Sequence, residues 1–352
     1  AHFHLKNFGK RLDMLNLKGS QSLDEIAQKI ESKLNSLNSD QWLIGFGWDQ
    51  NLWQPKEYPD ASFLNKIVPD HPVYLTRIDG HSSWVNDCAI SKIRHTLDEI
   101  KNQDGADVIN GCIMIDNAMN CFKHCLPVDT KDQVKQWIKT AVKKTIQMGI
   151  TGVHDAWQDA TTISAIQELI QEDNFPIRCY GMLASNDTSL LNDFFQKGHY
   201  KTDYLTIRSV KAFIDGALGS RGAALHAPYC DDANNCGLIL ISHEDFQKLA
   251  ADCYKYNFQL NTHAIGDRGN SYVLDHYNKF LKPNNDKRWR IEHAQMVRDN
   301  DLNRFKDFNI LPSMQPSHCT SDMPWLSERI GNDRLGLISR WKTFIDLGLK
   351  IP

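Results

Sequence analysis

The sequence predicts an α/β protein: a (β/α)8 barrel of the TIM type with a large insertion after its first strand. Three observations carry this expectation. Short apolar runs alternate with amphipathic helical stretches, as parallel α/β architecture requires. Histidines stand at the carboxyl ends of several of those runs, where barrel enzymes keep their chemistry. The stretch between the first run and the second is too long for one crossover helix.

The predicted strands are residues 1–4, 152–155, 177–183, 210–215, 258–263, 289–293 and 310–314, with 347–352 as the lead-in to an eighth. Three helices have readable starts. Ser22-Leu23-Asp24-Glu25 reads as a capping box before an apolar series at Ile26, Ala27, Ile30, Leu34 and Leu37. Thr130 and Gln133 form a second box, ahead of a face made by Val134, Trp137, Ile138, Ala141, Val142 and Ile146, and Gly149 stands where a left-handed cap belongs. Ser242 opens a third helix that buries Phe246, Leu249, Ala250 and Cys253. The predicted organisation is barrel strand 1 in residues 1–4, an inserted subdomain over the barrel mouth in 5–149 with its own strand at 73–78, and strands 2–7 in 150–352.

Composition narrows the function classes. Forty basic against 43 acidic residues give a formal charge of -3 without a basic stripe, which argues against nucleic acid or an anionic membrane as partner. No apolar run approaches the roughly 18–20 residues that span a bilayer. Nine scattered cysteines without a CxxC pair read as reduced thiols of a cytoplasmic protein. The chain opens without methionine and stops in an apolar run, so an excerpt of a longer protein is expected.

Five side chains carry the chemical argument. His2 and His4 are two apart, so in an extended strand both imidazoles face the same side and can reach one ion. His263 and His293 each leave an apolar strand just before a turn. One such histidine is ordinarily a satisfied core or loop residue; four at successive strand ends point to metal. Lys211 lies in a strand otherwise fit for burial, and a buried ammonium is costly unless paired or deprotonated. Lys211 either reacts with carbon dioxide to give a carbamate that bridges two cations, or pairs with Asp215, or faces solvent at the strand end.

These motifs resemble the amidohydrolase superfamily, in the branch (amidohydrolase family 3) that contains N-substituted formamide deformylases and many metal-dependent hydrolases. The resemblance rests on His2-Phe3-His4, Lys211-Ala212-Phe213-Ile214-Asp215-Gly216, Asn261-Thr262-His263-Ala264-Ile265-Gly266-Asp267 and Ile291-Glu292-His293-Ala294-Gln295. Further matches are Gly47-Trp48-Asp49-Gln50, Asp79-Gly80-His81-Ser82, Gly219-Ser220-Arg221-Gly222, Met314-Gln315-Pro316 and Ser321-Asp322-Met323-Pro324-Trp325. The resemblance implies a distorted barrel with one or two divalent cations, usually zinc. His2 and His4 would hold one, His263 and His293 the other, and carboxylated Lys211 would bridge them. It also implies a general-base aspartate at the end of strand 8 and a small flanking β-sandwich, neither of which is in these residues.

The implied activity is hydrolysis of a non-peptide carbon–nitrogen bond, N-formyl or N-acyl, in a small-molecule amide by metal-activated hydroxide. Two alternatives stay open: an ester or lactone hydrolase on the same centre, and a catalytically silent binding or regulatory protein. Around the centre, His81 either reaches the substrate carbonyl or caps a turn. Arg221 either holds an anionic group or braces its loop, and His318 and Asp322 are candidates to line the pocket. Trp48, Trp53, Trp84 and Trp325 would make an aromatic pocket, or else plain core. The assembly, a homodimer or otherwise, is left open.

Overall fold

The apolar runs pair with one another in sequence order. In the computed structural model, which describes residues 2–38 and 41–352, β1 (His2–Phe3), β2 (Gly152–Gln158), β3 (Arg178–Ala184), β4 (Leu205–Phe213), β5 (Gln259–Ala264), β6 (Arg290–His293) and β7 (Leu311–Ser313) form one parallel sheet in that order. Residue 1 of the predicted first strand lies outside the described residues. Helices α1 (Ala160–Gln171), α2 (Thr188–Lys197), α3 (His243–Lys255), α4 (Asp267–Phe280) and α5 (Asp299–Asp307) fill the crossovers. The sheet curls far enough for His2 on the first strand to reach Glu292 on the sixth, at 2.7 Å. This is a nearly closed, seven-stranded parallel barrel of the distorted TIM type. Residues 347–352, expected to lead into an eighth strand, follow a helix (Trp341–Asp346) through a turn with Gly348 at φ 82°, and they pair with no described strand.

The helix starts follow the capping logic. Ser22 accepts from the Glu25 N–H, and Ser242 from the Asp245 N–H. Thr130 and Gln133 exchange hydrogen bonds as a full box. The helix that this box opens, Lys131–Gln147, ends in a Schellman motif: the Gly149 N–H donates to Ile146 O and the Ile150 N–H to Thr145 O, with Gly149 at φ 76°. Ile146 is exposed, against expectation, and Thr145 is buried instead. Seven residues after Ile138 is nearly two full turns, whereas eight rotates Ile146 off the stripe.

The chain divides into two units. One runs through residue 5 and from Val142 to Pro352; the other is Lys6–Ala141. The expected boundaries at 4/5 and 149/150 therefore move to 5/6 and 141/142, the second falling inside Lys131–Gln147. The second unit holds more than the single expected strand. Leu15–Asn16, Leu43–Trp48, Val73–Arg77, Ser82–Val85, Ile113–Asp116 and Ala106–Ile109 form a six-stranded mixed sheet in that order. It closes on its own core around Ile26, Ile30, Leu64, Leu75, Ile113 and Phe122. Among the described residues no helix is long and apolar enough to cross a membrane.

Candidate metal centre

Strand register brings the predicted ligands to one end of the barrel. Phe213 on β4 pairs with His263 on β5, and Ala264 pairs with His293 on β6, so the two imidazoles leave neighbouring strands one step apart. His2 lies in β1 and His4 directly after it. The rings converge. Centroids are 5.0 Å apart for His2 and His4, 4.9 Å for His2 and His293, and 4.6 Å for His263 and His293. Burial holds the His4, His263 and His293 imidazoles neutral, the form that binds metal. It lowers His4 to about 4 and His263 to about 3, with help from the charge of Lys211, and takes His293 well below its ordinary value.

Neighbouring groups select the tautomers. His2 Nδ1 donates to Glu292 Oε2 at 2.7 Å, leaving the Nε2 lone pair free, and His293 Nδ1 donates to Gln315 Oε1. His263 Nε2 faces Gly216 O at 3.4 Å, which leaves its Nδ1 free. Glu292 is fully buried. Burial alone would raise its carboxyl, but the His2 hydrogen bond and the charges of Arg290 and Lys211 draw it down to about 2. Glu292→Gln should therefore weaken metal affinity by about 10–100-fold while the protein stays folded, checked by metal titration against a chelating dye.

Lys211 has no exposed surface, and its Nζ has no hydrogen-bond partner. It sits 4.0 Å above the Phe213 ring, and burial lowers its amine to about 8 against the opposing pull of Glu292. The expected alternatives, a pair with Asp215 or a solvent-facing amine, are corrected by this placement. Asp215 spends both oxygens on backbone: Oδ1 accepts from Ile265 N–H, and Oδ2 from Gly266 and Ala224 N–H. It ties the loop after β4 to the end of β5, and Asp215→Asn should cost about 1–3 kcal/mol in a thermal or urea melt, because an amide turns a donor toward N–H groups.

The donor set fits divalent metal. His2 Nε2 and His4 Nε2 are 3.2 Å apart, close to the roughly 3.3 Å between two nitrogens about 2.0–2.1 Å from a tetrahedral ion. Glu292 Oε1, 3.7 Å from Arg290 Nη1, and Lys211 Nζ are buried without a hydrogen-bond partner. Among the described residues, however, no three His, Cys, Asp or Glu groups stand as a ready shell.

A family model described as the amidohydrolase family matches residues 1–352. The chain belongs to the amidohydrolase family. Protein LONG AFTER FAR-RED 3 of Arabidopsis thaliana is 29% identical over 95% of the chain and 60% of its own length. YtcJ of Bacillus subtilis (strain 168), named as an amidohydrolase, is 28% identical over 99% of the chain and 67% of its own length. The chain thus spans about three-fifths to two-thirds of these curated relatives. A crystal structure of an uncharacterized metal-dependent hydrolase from Pyrococcus horikoshii superposes with a TM-score of 0.82 at 27% identity, over 99% of this chain and 68% of that one. The corresponding protein from Pyrococcus furiosus gives 0.81 at 26%, over 100% and 70%.

In this amidohydrolase-family chain the outlying candidates separate. The His318 ring stacks on His293 at 5.2 Å, and Asp322 accepts from Gln295 Nε2 at 2.6 Å, so α6 (Pro316–Asp322) stands beside the imidazoles. Arg221 makes a two-pronged pair with Asp231 and braces its loop, where Asp231 also meets Arg329. Trp325 packs against Leu218 and Gly219 in the same loop cluster.

Trp48 is corrected from pocket to core. It is fully buried, stacks on Trp53 at 6.2 Å, meets Trp84 edge-on at 6.1 Å and donates to Leu75 O. A separate sheet needs a separate apolar core, and these rings supply it. His81 is exposed in the same unit and pairs with Asp116 at 2.7 Å.

Glu292 and Gln315 were not singled out from the sequence as site residues. The available signal for Glu292 was a carboxylate inside an apolar strand, directly before a candidate ligand. For Gln315, which meets His293 from across β7, there was none beyond its motif.

Proposed function

We propose that the protein is a metal-dependent hydrolase that cleaves a carbon–nitrogen bond, N-formyl or N-acyl, in a small amide. The observation that carries this reading is the convergence of four imidazoles on one end of a parallel barrel, beside a fully buried lysine amine without a hydrogen-bond partner. His2 and His4 would hold one divalent cation, with zinc the best match to the nitrogen donors, and His263 and His293 a second. Such ions, when bound, supply a water whose pKa falls from 15.7 to about 7 and a Lewis acid for the substrate carbonyl.

The remaining work belongs to the chain. Glu292 and Gln315 hold the His2 and His293 rings so that the free nitrogens face inward. The Lys211 amine, easily deprotonated at about 8, adds to carbon dioxide with loss of one proton and becomes an anionic carbamate between the two histidine pairs. Its charge offsets that of the cations. The substrate is expected to be small and uncharged near the bond attacked, and the location cytoplasmic.

The test is metal analysis of the full-length protein with turnover assays. One to two divalent ions per chain are expected. A chelator should abolish hydrolysis and added zinc should restore it, with N-formyl or N-acyl amines turned over faster than esters or lactones. Full activity without metal would overturn the metal reading, and a preference for esters would overturn the bond assignment. A relative at 21% identity is named Exoenzymes regulatory protein AepA, which keeps a regulatory reading in view. Metal retained without turnover of any amide, ester or lactone would favour it.

A further inference from the structure

The end of β2 carries an anomaly next to the centre. Trp157 has φ 121°, a backbone region that glycine enters freely and a tryptophan does not. The residue is the extra one of a β-bulge: Ala156 pairs with Met182 and Gln158 with Leu183, and Trp157 is passed over. The bulge itself has a structural reason. Gln158 turns inward over Gly181, donates to Asp155 Oδ2 at 2.8 Å, and Asp155 Oδ1 accepts the N–H of Leu5, the residue after His4. None of this needs a side chain at position 157, where glycine would be unstrained.

The ring does have a place. It lies 5.0 Å from the Phe213 ring, which lies 5.1 Å from His263 and directly beneath the Lys211 amine. Trp157 and Phe213 are both half-buried, so part of each ring stays exposed. The three rings neighbour one another in turn from the end of β2, by way of the end of β4, to a metal-ligand candidate on β5.

We propose that Trp157 is a specificity-determining residue: with Phe213 it forms an aromatic wall beside the ligands that receives a flat, apolar group next to the bond attacked. The proposal rests on the hydrolase reading above for what is attacked, but not for what is bound. A flat ring offered to this wall gains offset or edge-on stacking that a straight alkyl chain cannot match.

The experiment uses the full-length, metal-loaded protein and its W157G and W157F variants. Three readouts are taken: the melting temperature, the calorimetric affinity for aniline and benzoate, and kcat/KM for N-acetylaniline and N-benzoylmethylamine against N-acetylbutylamine. W157G should keep its metal and melt within about 4 °C of the parent or above it, since relief of strain opposes the loss of packing. It should bind the better aromatic probe at least about tenfold more weakly, a change of about 1.4 kcal/mol. Its kcat/KM for the aromatic amide should fall similarly, chiefly through KM, with the butyl amide within about twofold. W157F should retain most of both.

Should W157G melt well below the parent, W157L carries the same comparison, because it keeps apolar bulk without a flat ring. Equal aromatic affinity in parent and ring-less variant, or no aromatic binding by the parent, overturns the proposal. Aromatic binding that depends on Trp157 in a protein that hydrolyses no amide upholds the wall and overturns the hydrolase reading alone.

Discussion

Lys211→Ala should lose the metal pair and most of the activity, on the order of 10³-fold in kcat/KM, because several kcal/mol of Lewis-acid stabilisation go with the ions. The lysine amine is fully buried without a hydrogen-bond partner in the metal-free geometry, so its desolvation is offset only by the Phe213 face and the charge of Glu292. Lys211→Met should therefore raise metal-free stability by about 1–3 kcal/mol while abolishing tight metal binding. A merely structural lysine would give the reverse signs. Lys211→Glu supplies a carboxylate near where the carbamate oxygens would lie and should recover part of the metal content. Atomic-absorption metal counts with paired thermal melts check both signs. An active Lys211→Ala enzyme that keeps two ions would remove the bridging role.

His293→Gly separates ligation from folding at the other pair. His293 sits at φ 76°, where an L residue is strained, and its ring lies between those of His263 and His318. Glycine relieves the backbone but removes the donor nitrogen, so metal and activity should fall together, again by on the order of 10³-fold, with stability changed by less than about 1 kcal/mol. Free imidazole should diffuse into the vacated space and restore part of both. Melting curves and imidazole titration of turnover provide the check. Loss of fold together with loss of metal would place His293 in the structure and not in the chemistry. His263→Ala should also strip metal, but without the backbone relief, since His263 lies inside a regular strand.

How far the site was legible depended on how local each signal was. The His2-Phe3-His4 spacing works through strand periodicity alone, and His263 and His293 announce themselves as imidazoles at the ends of apolar runs. Lys211 stood out because a charge in the strand Leu205–Phe213 conflicts with burial, and such conflicts mark sites. Glu292 followed the same rule and was overlooked, since its partner His2 is 290 residues away and only the closing of the sheet makes the pair. Trp157 left no trace in the sequence. Its meaning lies in a backbone angle and a register shift that depend on how β2 pairs with β3.

The sequence by itself determined the parallel α/β class, all seven barrel strands in order, the helix caps at Ser22, Thr130 and Ser242, the Gly149 stop, and the four histidines that the fold brings together. Each of these is written within a few residues, as period, cap chemistry or a misplaced charge. Only the tertiary structure decided that the 6–141 unit has its own six-stranded sheet, that Trp48 belongs to that core, and that Arg221 is committed to Asp231. It likewise decided which nitrogen His2, His263 and His293 leave free. Those outcomes depend on which distant groups meet when the sheets curl and close, and a residue's partner across space is not encoded in its neighbours along the chain.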